Sequence, residues 1–248
     1  MFDPFGDFNT AGYLRNELCL KDSDRIKEQE HLFFVANVQQ AADFLSGCEQ
    51  ISYDDFCEVH HILFSDFYPW AGRDRLTLGV APSVHKAGKV RFEDSNMARR
   101  AVEYGLELGN DVKVMAKRPG EVMGLFAWGH PFLDGNGRTM VVVHTELMAR
   151  AGLMVDWTRS PKDAYLEALT NELKEPGKRP LDLYFQPLIC PLKKDANWVD
   201  QVLAIAGLDS MDGDVGTDAL YAPGDPAADK EYEEFKRARQ YEIPDSPA

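Results

Sequence analysis

The chain has 248 residues, 44% hydrophobic and 11% aromatic, and a formal net charge of −14 at pH 7. It is long enough to bury a large core without disulfides or a structural metal and too apolar to be disordered throughout. The acidic balance excludes general nucleic-acid binding, which needs a basic surface to displace counterions from phosphates.

The opening residues, MFDPFGDFNTAGY, hold neither a basic cluster nor a long apolar run, so a secretory leader is not expected. Residues 24–46 repeat apolar side chains at mixed three- and four-residue spacings (Ile26, Leu32, Phe33, Val35, Val38, Ala41, Leu45). This predicts an amphipathic helix with Asp22 or Ser23 at its start and Gly47 at its stop. Residues 54–67 continue that period through Phe56, Val59, Ile62, Leu63 and Phe67. Segment 73–92 breaks it: Leu76, Leu78 and Val80 alternate, Pro82 and Gly88 interrupt, and Val90–Phe92 forms a second short run. That pattern predicts a hairpin between helices. Helical spacing returns over 94–108, 119–129, 136–151, 161–173 and 194–206. The expected fold class is all-α with a small β-hairpin flap.

Past Leu208 the composition changes: residues 208–248 carry eleven acidic side chains against four basic ones, with Pro223, Pro226, Pro244 and Pro247. They read as a partly ordered acidic tail with one short helix at 226–240, behind a catalytic body over 1–207. The DGDVGTD stretch from Asp212 opens like a calcium loop, but Pro223 stands where the closing acid belongs, so no calcium site is expected. No segment approaches the roughly 18 uncharged apolar residues of a membrane span. Cys19, Cys48, Cys57 and Cys190 are widely spaced and form no CxxC pair, which favours reduced thiols. A soluble cytoplasmic protein is expected, with a translocated effector as the alternative.

One stretch stands apart, Gly129-His-Pro-Phe-Leu-Asp-Gly-Asn-Gly-Arg-Thr139, a tight loop between two helical patterns. Gly135 and Gly137 leave backbone N–H groups unobstructed where the second helix begins, and a helix N-terminus attracts anions. Asn136 and Arg138 add side-chain donors, and a guanidinium suits phosphate oxygens. Asp134 offers a hard carboxylate of the kind that holds Mg²⁺ together with substrate phosphates. His130, titrating near neutrality, is a candidate to take a proton from a hydroxyl. Together these describe a nucleotide-phosphate site, with neither a P-loop nor a dinucleotide fingerprint. Elsewhere His60, His61 and His144 lack metal-ligand spacing, and Tyr68 and Trp70 read as packing anchors.

The segment HPFLDGNGR resembles the signature of the Fic family, HxFx[DE]GNGRxxR, whose members AMPylate hydroxyl side chains of target proteins. Tyr68-Pro-Trp-Ala-Gly72 is similar to the Y-x-W-A-G preceding the family's hairpin, and Tyr13-Leu-Arg-Asn16 to its lead-in, so the likeness runs from about residue 8 to 190. The resemblance implies that His130 deprotonates a Ser, Thr or Tyr hydroxyl, which attacks the α-phosphorus of ATP. It implies Mg²⁺ on Asp134, phosphates cradled by Gly135, Asn136 and Gly137, and Arg138 on the outer phosphates. Residues 73–92 fall where the family's target-positioning flap lies, and Lys89, Val90, Arg91 and Phe92 would be the edge that pairs with a target strand.

Two departures matter. The second motif arginine falls on Val141, which weakens the expected hold on the γ-phosphate. The family's inhibitory motif [ST]xxxE[GN] is absent, so either a separate antitoxin-like partner supplies the glutamate, the favoured reading, or control is different, since Val141 removes the glutamate's partner. The rivals are a Doc-type kinase, which the resemblance associates with a lysine in place of Gly137, and a catalytically silent scaffold.

Overall fold

The computed structural model describes residues 3–80, 84–86, 90–193, 197–205, 207–208, 217–219, 230, 233–234 and 237. After a single turn, α1 (Phe8–Ala11), come the long α2 (Ser23–Ser46) and α3 (Tyr53–Phe64). Asp22 caps α2 by accepting from Arg25 N–H at 3.0 Å, and Gly47 ends it. Ser52 and Asp55 close the start of α3 as a reciprocal capping box. Strands β1 (Val84–Lys86) and β2 (Val90–Arg91) form the expected hairpin, antiparallel with His85 opposite Arg91.

The hairpin is shorter than its alternation suggested. Residues Leu76–Gly79 turn instead of extending, because Asp74 accepts from Thr77 N–H at 2.8 Å through its carboxylate and from Leu78 N–H through its carbonyl. Leu76 is left exposed.

Helices α4 (Ser95–Asn110), α5 (Val112–Met115), α6 (Pro119–Gly129) and α7 (Asn136–Arg150) follow. Every residue of α6 is buried, as expected of a helix apolar on all sides. It packs against α4, α7, α8 (Lys162–Lys174) and α9 (Pro180–Phe185). Helix α7 is buried from Arg138 to Met148. The two most enclosed helices are thus the pair joined by the loop Gly129–Thr139, so the loop is held at the centre of the fold. Helix α10 (Trp198–Leu203) is shorter than the expected 194–206.

Two features were not expected from periodicity. Strands β3 (Leu153–Val155) and β4 (Ile189–Pro191) make a second antiparallel ribbon, each too short for alternation to register. Strand β5 (Thr217–Ala219), from the acidic tail, pairs antiparallel with β1, giving the order β2-β1-β5. Most of the helix expected at 226–240 falls outside the described residues. All four cysteines are free thiols. No helix among the described residues is long and apolar enough to cross a membrane.

Candidate active site

His130 ends α6 as its C-cap in the left-handed region, φ 40° and ψ 56°. A non-glycine residue there costs about 1–2 kcal/mol, so its surroundings must hold it. Its N–H donates to Phe126 O at 3.2 Å. Its ring lies on that of Phe92, centroids 3.8 Å apart and planes 12° from parallel. Phe92 therefore backs the imidazole, where the sequence expectation put it on an open strand edge. Arg91 is also buried, 3.8 Å from the Asp94 carboxylate. Lys89 lies outside the described residues, and Val90 is placed only as part of β2.

Past His130 the chain dips inward. Phe132 is buried between Phe56 and His60, 3.8 Å from the His60 ring centroid. Asn136 then locks the bend: Oδ1 accepts from Phe132 N–H and Nδ2 donates to Phe132 O, both at 2.9 Å. The expectation that the Asn136 side chain donates to phosphate is corrected here, because its amide is spent on the loop backbone.

Gly135 opens α7 with φ 75° and, having no side chain, offers no cap to the amides that follow. Those first-turn N–H groups have no carbonyl within their own helix, and the helix dipole places partial positive charge on them. A Cβ on Gly135 would stand 2.6 Å from Phe64 Cε2 and 3.0 Å from His60 Nε2, whereas one on Gly137 would meet nothing within 4 Å. The loop is tight on its inner side and open beside the Gly137 Cα.

Asp134 is half-buried, and its Oδ1 accepts from Gly135 N–H at 2.7 Å. Among the described residues no three His, Cys, Asp or Glu side chains are grouped to hold a metal by themselves. A single hard carboxylate beside an anion pocket fits an ion bound jointly with phosphates.

Arg138 turns inward. Its Nη2 donates to Glu30 Oε2 at 2.8 Å, its guanidinium lies 5.0 Å from the Phe64 ring centroid, and the residue is 6% exposed. Tyr68 O–H donates to the other Glu30 oxygen at 2.7 Å. Burial pulls the arginine's pKa down, but Glu30 and Asp134 outweigh it and raise the pKa above its ordinary value. Arg138 is a charged strut between α7 and α2, while its buried Nη1 has no hydrogen-bond partner, so the outer-phosphate role implied by the resemblance is neither made nor blocked by these contacts. Val141, one turn on, is buried at 2% exposure in the hydrophobic core.

Sequence reasoning missed Glu30 and His60. His60 Nε2–H donates to Asp134 O at 3.0 Å, and its Nδ1 accepts from Gly72 N–H at 2.9 Å. Burial lowers its pKa to about 3, so it is neutral with a fixed tautomer. His144 is likewise buried, lowered to about 4, and bonded to Pro119 O. Only the motif's own composition marks this site in sequence; Glu30 and His60 carry no signal, because each meets the loop across a long chain separation.

Residues 50–148 match the profile of the Fic/DOC family. The chain is 31% identical over 164 residues to protein adenylyltransferase VbhT of Bartonella schoenbuchensis, covering 63% of this chain and 33% of that protein. It is 26% identical over 159 residues to probable protein adenylyltransferase y4lH of Sinorhizobium fredii, covering 63% and 81% respectively. The chain therefore spans about a third of the length of VbhT.

Among solved structures, BepC of Bartonella tribocorum with bound AMPPNP superposes with a TM-score of 0.60 at 20% identity, over 74% of this chain and 95% of that one. The N-terminal Fic domain of a VirB-translocated Bep effector from Bartonella quintana, with bound ADP, gives 0.60 at 20% identity over 75% and 94%. These likenesses establish the helical fold. The motif His130–Arg138 lies inside the span that matches the Fic/DOC family model.

Proposed function

We propose that this chain is a protein adenylyltransferase, moving AMP from ATP to a Ser, Thr or Tyr hydroxyl of a target protein. The observation that carries the reading is the start of α7: no side chain caps it, there is open space beside Gly137, and His130 lies at the other end of the same loop. The two curated relatives, both named as adenylyltransferases, support it.

His130 accepts the proton of the target hydroxyl. That oxygen attacks the α-phosphorus, the bond to the bridging oxygen of the β-phosphate breaks, and pyrophosphate leaves. The amides of Gly137 and its neighbours hold phosphate oxygens, so catalysis rests on positioning and on charge placed in advance. Mg²⁺ on Asp134 would neutralise phosphate charge. With β5 already paired to β1, β2 stands at the other edge of the sheet, which supports strand addition by the target along β2, within the Lys89–Phe92 stretch. Control by a separate antitoxin-like protein, with this chain as the toxin, belongs to the same proposal. The apolar Val141 means such a partner would not pair with an arginine at that position.

Incubation of the protein and a cell lysate with ATP labelled at the α- or the γ-phosphorus tests the reading. Protein-bound label is expected from α only, and label from γ only would make the enzyme a kinase. His130→Asn keeps a residue tolerant of left-handed backbone and removes the base, so transfer should fall by about 10²–10⁴-fold. Unchanged labelling in that folded variant would assign the activity to another group, and no label from either position would favour a silent scaffold.

A further inference from the structure

We infer that Arg75 is the positioning residue that sets His130 for proton transfer and ties it to the end of the flap; this rests on the transferase reading above. Arg75 is 1% exposed, in the turn that follows the Trp70–Gly72 segment. Its bonds converge on the motif backbone. Its N–H donates to Pro131 O at 2.8 Å, Nε to His130 O at 2.9 Å, and Nη2 to Gly129 O at 3.4 Å. Three consecutive carbonyls around the catalytic histidine are therefore held by one residue. The same Nη2 donates to Glu93 O at 2.8 Å.

The physical need is plain. Helix α6 ends at Gly129, and its final carbonyls have no partner within the helix and carry the negative end of its dipole. A buried guanidinium supplies planar donors and compensating charge together. Burial lowers its pKa to about 10, which keeps it charged at neutral pH.

Glu93 extends the brace. Its N–H donates to Trp128 O at 2.9 Å, its Oε2 accepts from Trp128 Nε1–H at 3.0 Å, and its neighbour Phe92 is the ring stacked on the imidazole. Arg75 thus fixes the backbone of His130 directly and its ring plane through the Phe92–Glu93 segment, which continues from β2. The start of α7, which would hold the phosphates, is anchored separately through Asn136 on Phe132 and His60 on Asp134. Loosening Arg75 should therefore impair transfer more than nucleotide binding.

The test compares wild type, Arg75→Lys and Arg75→Met with three readouts: ATP·Mg²⁺ affinity by calorimetry, single-turnover AMP incorporation from α-labelled ATP, and the ring resonances of His130 in ¹³C-histidine-labelled protein, identified with His130→Asn. In wild type the ring protons should lie upfield, shielded by Phe92. In Arg75→Met that shielding should diminish and incorporation should fall by about 10²-fold, as expected when a reacting group shifts by about an ångström. The ATP affinity should stay within about threefold. Arg75→Lys keeps the charge but not the fork and should recover part of both signals.

If Arg75→Met fails to fold, Arg75→Lys decides: wild-type shielding and wild-type transfer together overturn the proposal. Equal losses in affinity and rate would reduce Arg75 to a structural role and overturn it as well. Wild type that incorporates no AMP would refute the transferase reading instead. The His130 resonances would still report on the brace, and unchanged shielding in the variants would refute it.

Discussion

Helices α3 and α7 lie side by side in the core yet begin in opposite ways. At α3, Ser52 and Asp55 satisfy each other's backbone amides, and two acids sit in the first turn. At α7, Gly135 offers no side chain and no acid follows in the first turn. A side-chain cap is worth about 0.5–2 kcal/mol, so an open start forgoes stability that α3 collects. An anion bound at the open end would replace the missing cap. Helices α4, α6 and α8 also begin without a side-chain cap, so what sets α7 apart is the combination of its glycine start, the open space beside Gly137 and the motif around it.

Four substitutions would break or sharpen that contrast. The largest stability loss is expected from Gly135→Ala. It forces a Cβ into left-handed backbone, against Phe64 and His60, and should cost at least about 2 kcal/mol, read as a shift in the urea midpoint. A near-neutral midpoint would show that the loop is less tightly fitted than its contacts indicate.

The next concerns His60, which projects from α3 to hold Asp134 just before α7. His60 and His144 have folded pKa values below the free value of about 6.5. Below that pH the unfolded chain binds protons that the folded chain refuses, so stability should fall as pH drops from about 6.5 toward 4. The slope approaches about 1.4 kcal/mol per pH unit for each histidine. His60→Gln should remove roughly half of that slope in urea melts at pH 6.5, 5.5 and 4.5; an identical slope would mean that His60 is protonated in the folded protein.

The smallest effects form a matched pair. Ser52→Ala should cost about 1 kcal/mol by thermal melting and leave ATP binding alone. Gly137→Ala should be neutral or gain up to about 1 kcal/mol, since alanine suits a helix better and meets no protein atom. Its methyl would occupy the space before the amides, so ATP affinity by calorimetry should fall about tenfold. If Gly137→Ala binds ATP normally, phosphates do not sit at the start of α7.

Much of this architecture was legible before any coordinates. The long α2, with Asp22 and Gly47 at its ends, follows from spacing and capping chemistry, both local properties of neighbouring residues. The bounds of α6 fall where its apolar run meets Pro119 and Gly129. The hairpin was legible as a break in helical period, but its length was not. Asp74 captures two amides ahead of it, and such a local side-chain bond competes with extension in a way that alternation alone does not reveal.

By itself the sequence singled out the residues proposed to bear the chemistry, His130, Asp134 and the Gly135–Arg138 run, because reactive groups and turn-forming glycines must appear in the loop in order. Only the tertiary structure decided what each group is free to do. It turned Arg138 onto Glu30, spent Asn136 on Phe132, laid Phe92 on the imidazole and recruited Arg75 and His60 as supports. Those assignments depend on helices meeting across long chain separations, where burial makes an unpartnered polar group costly and so fixes who bonds to whom.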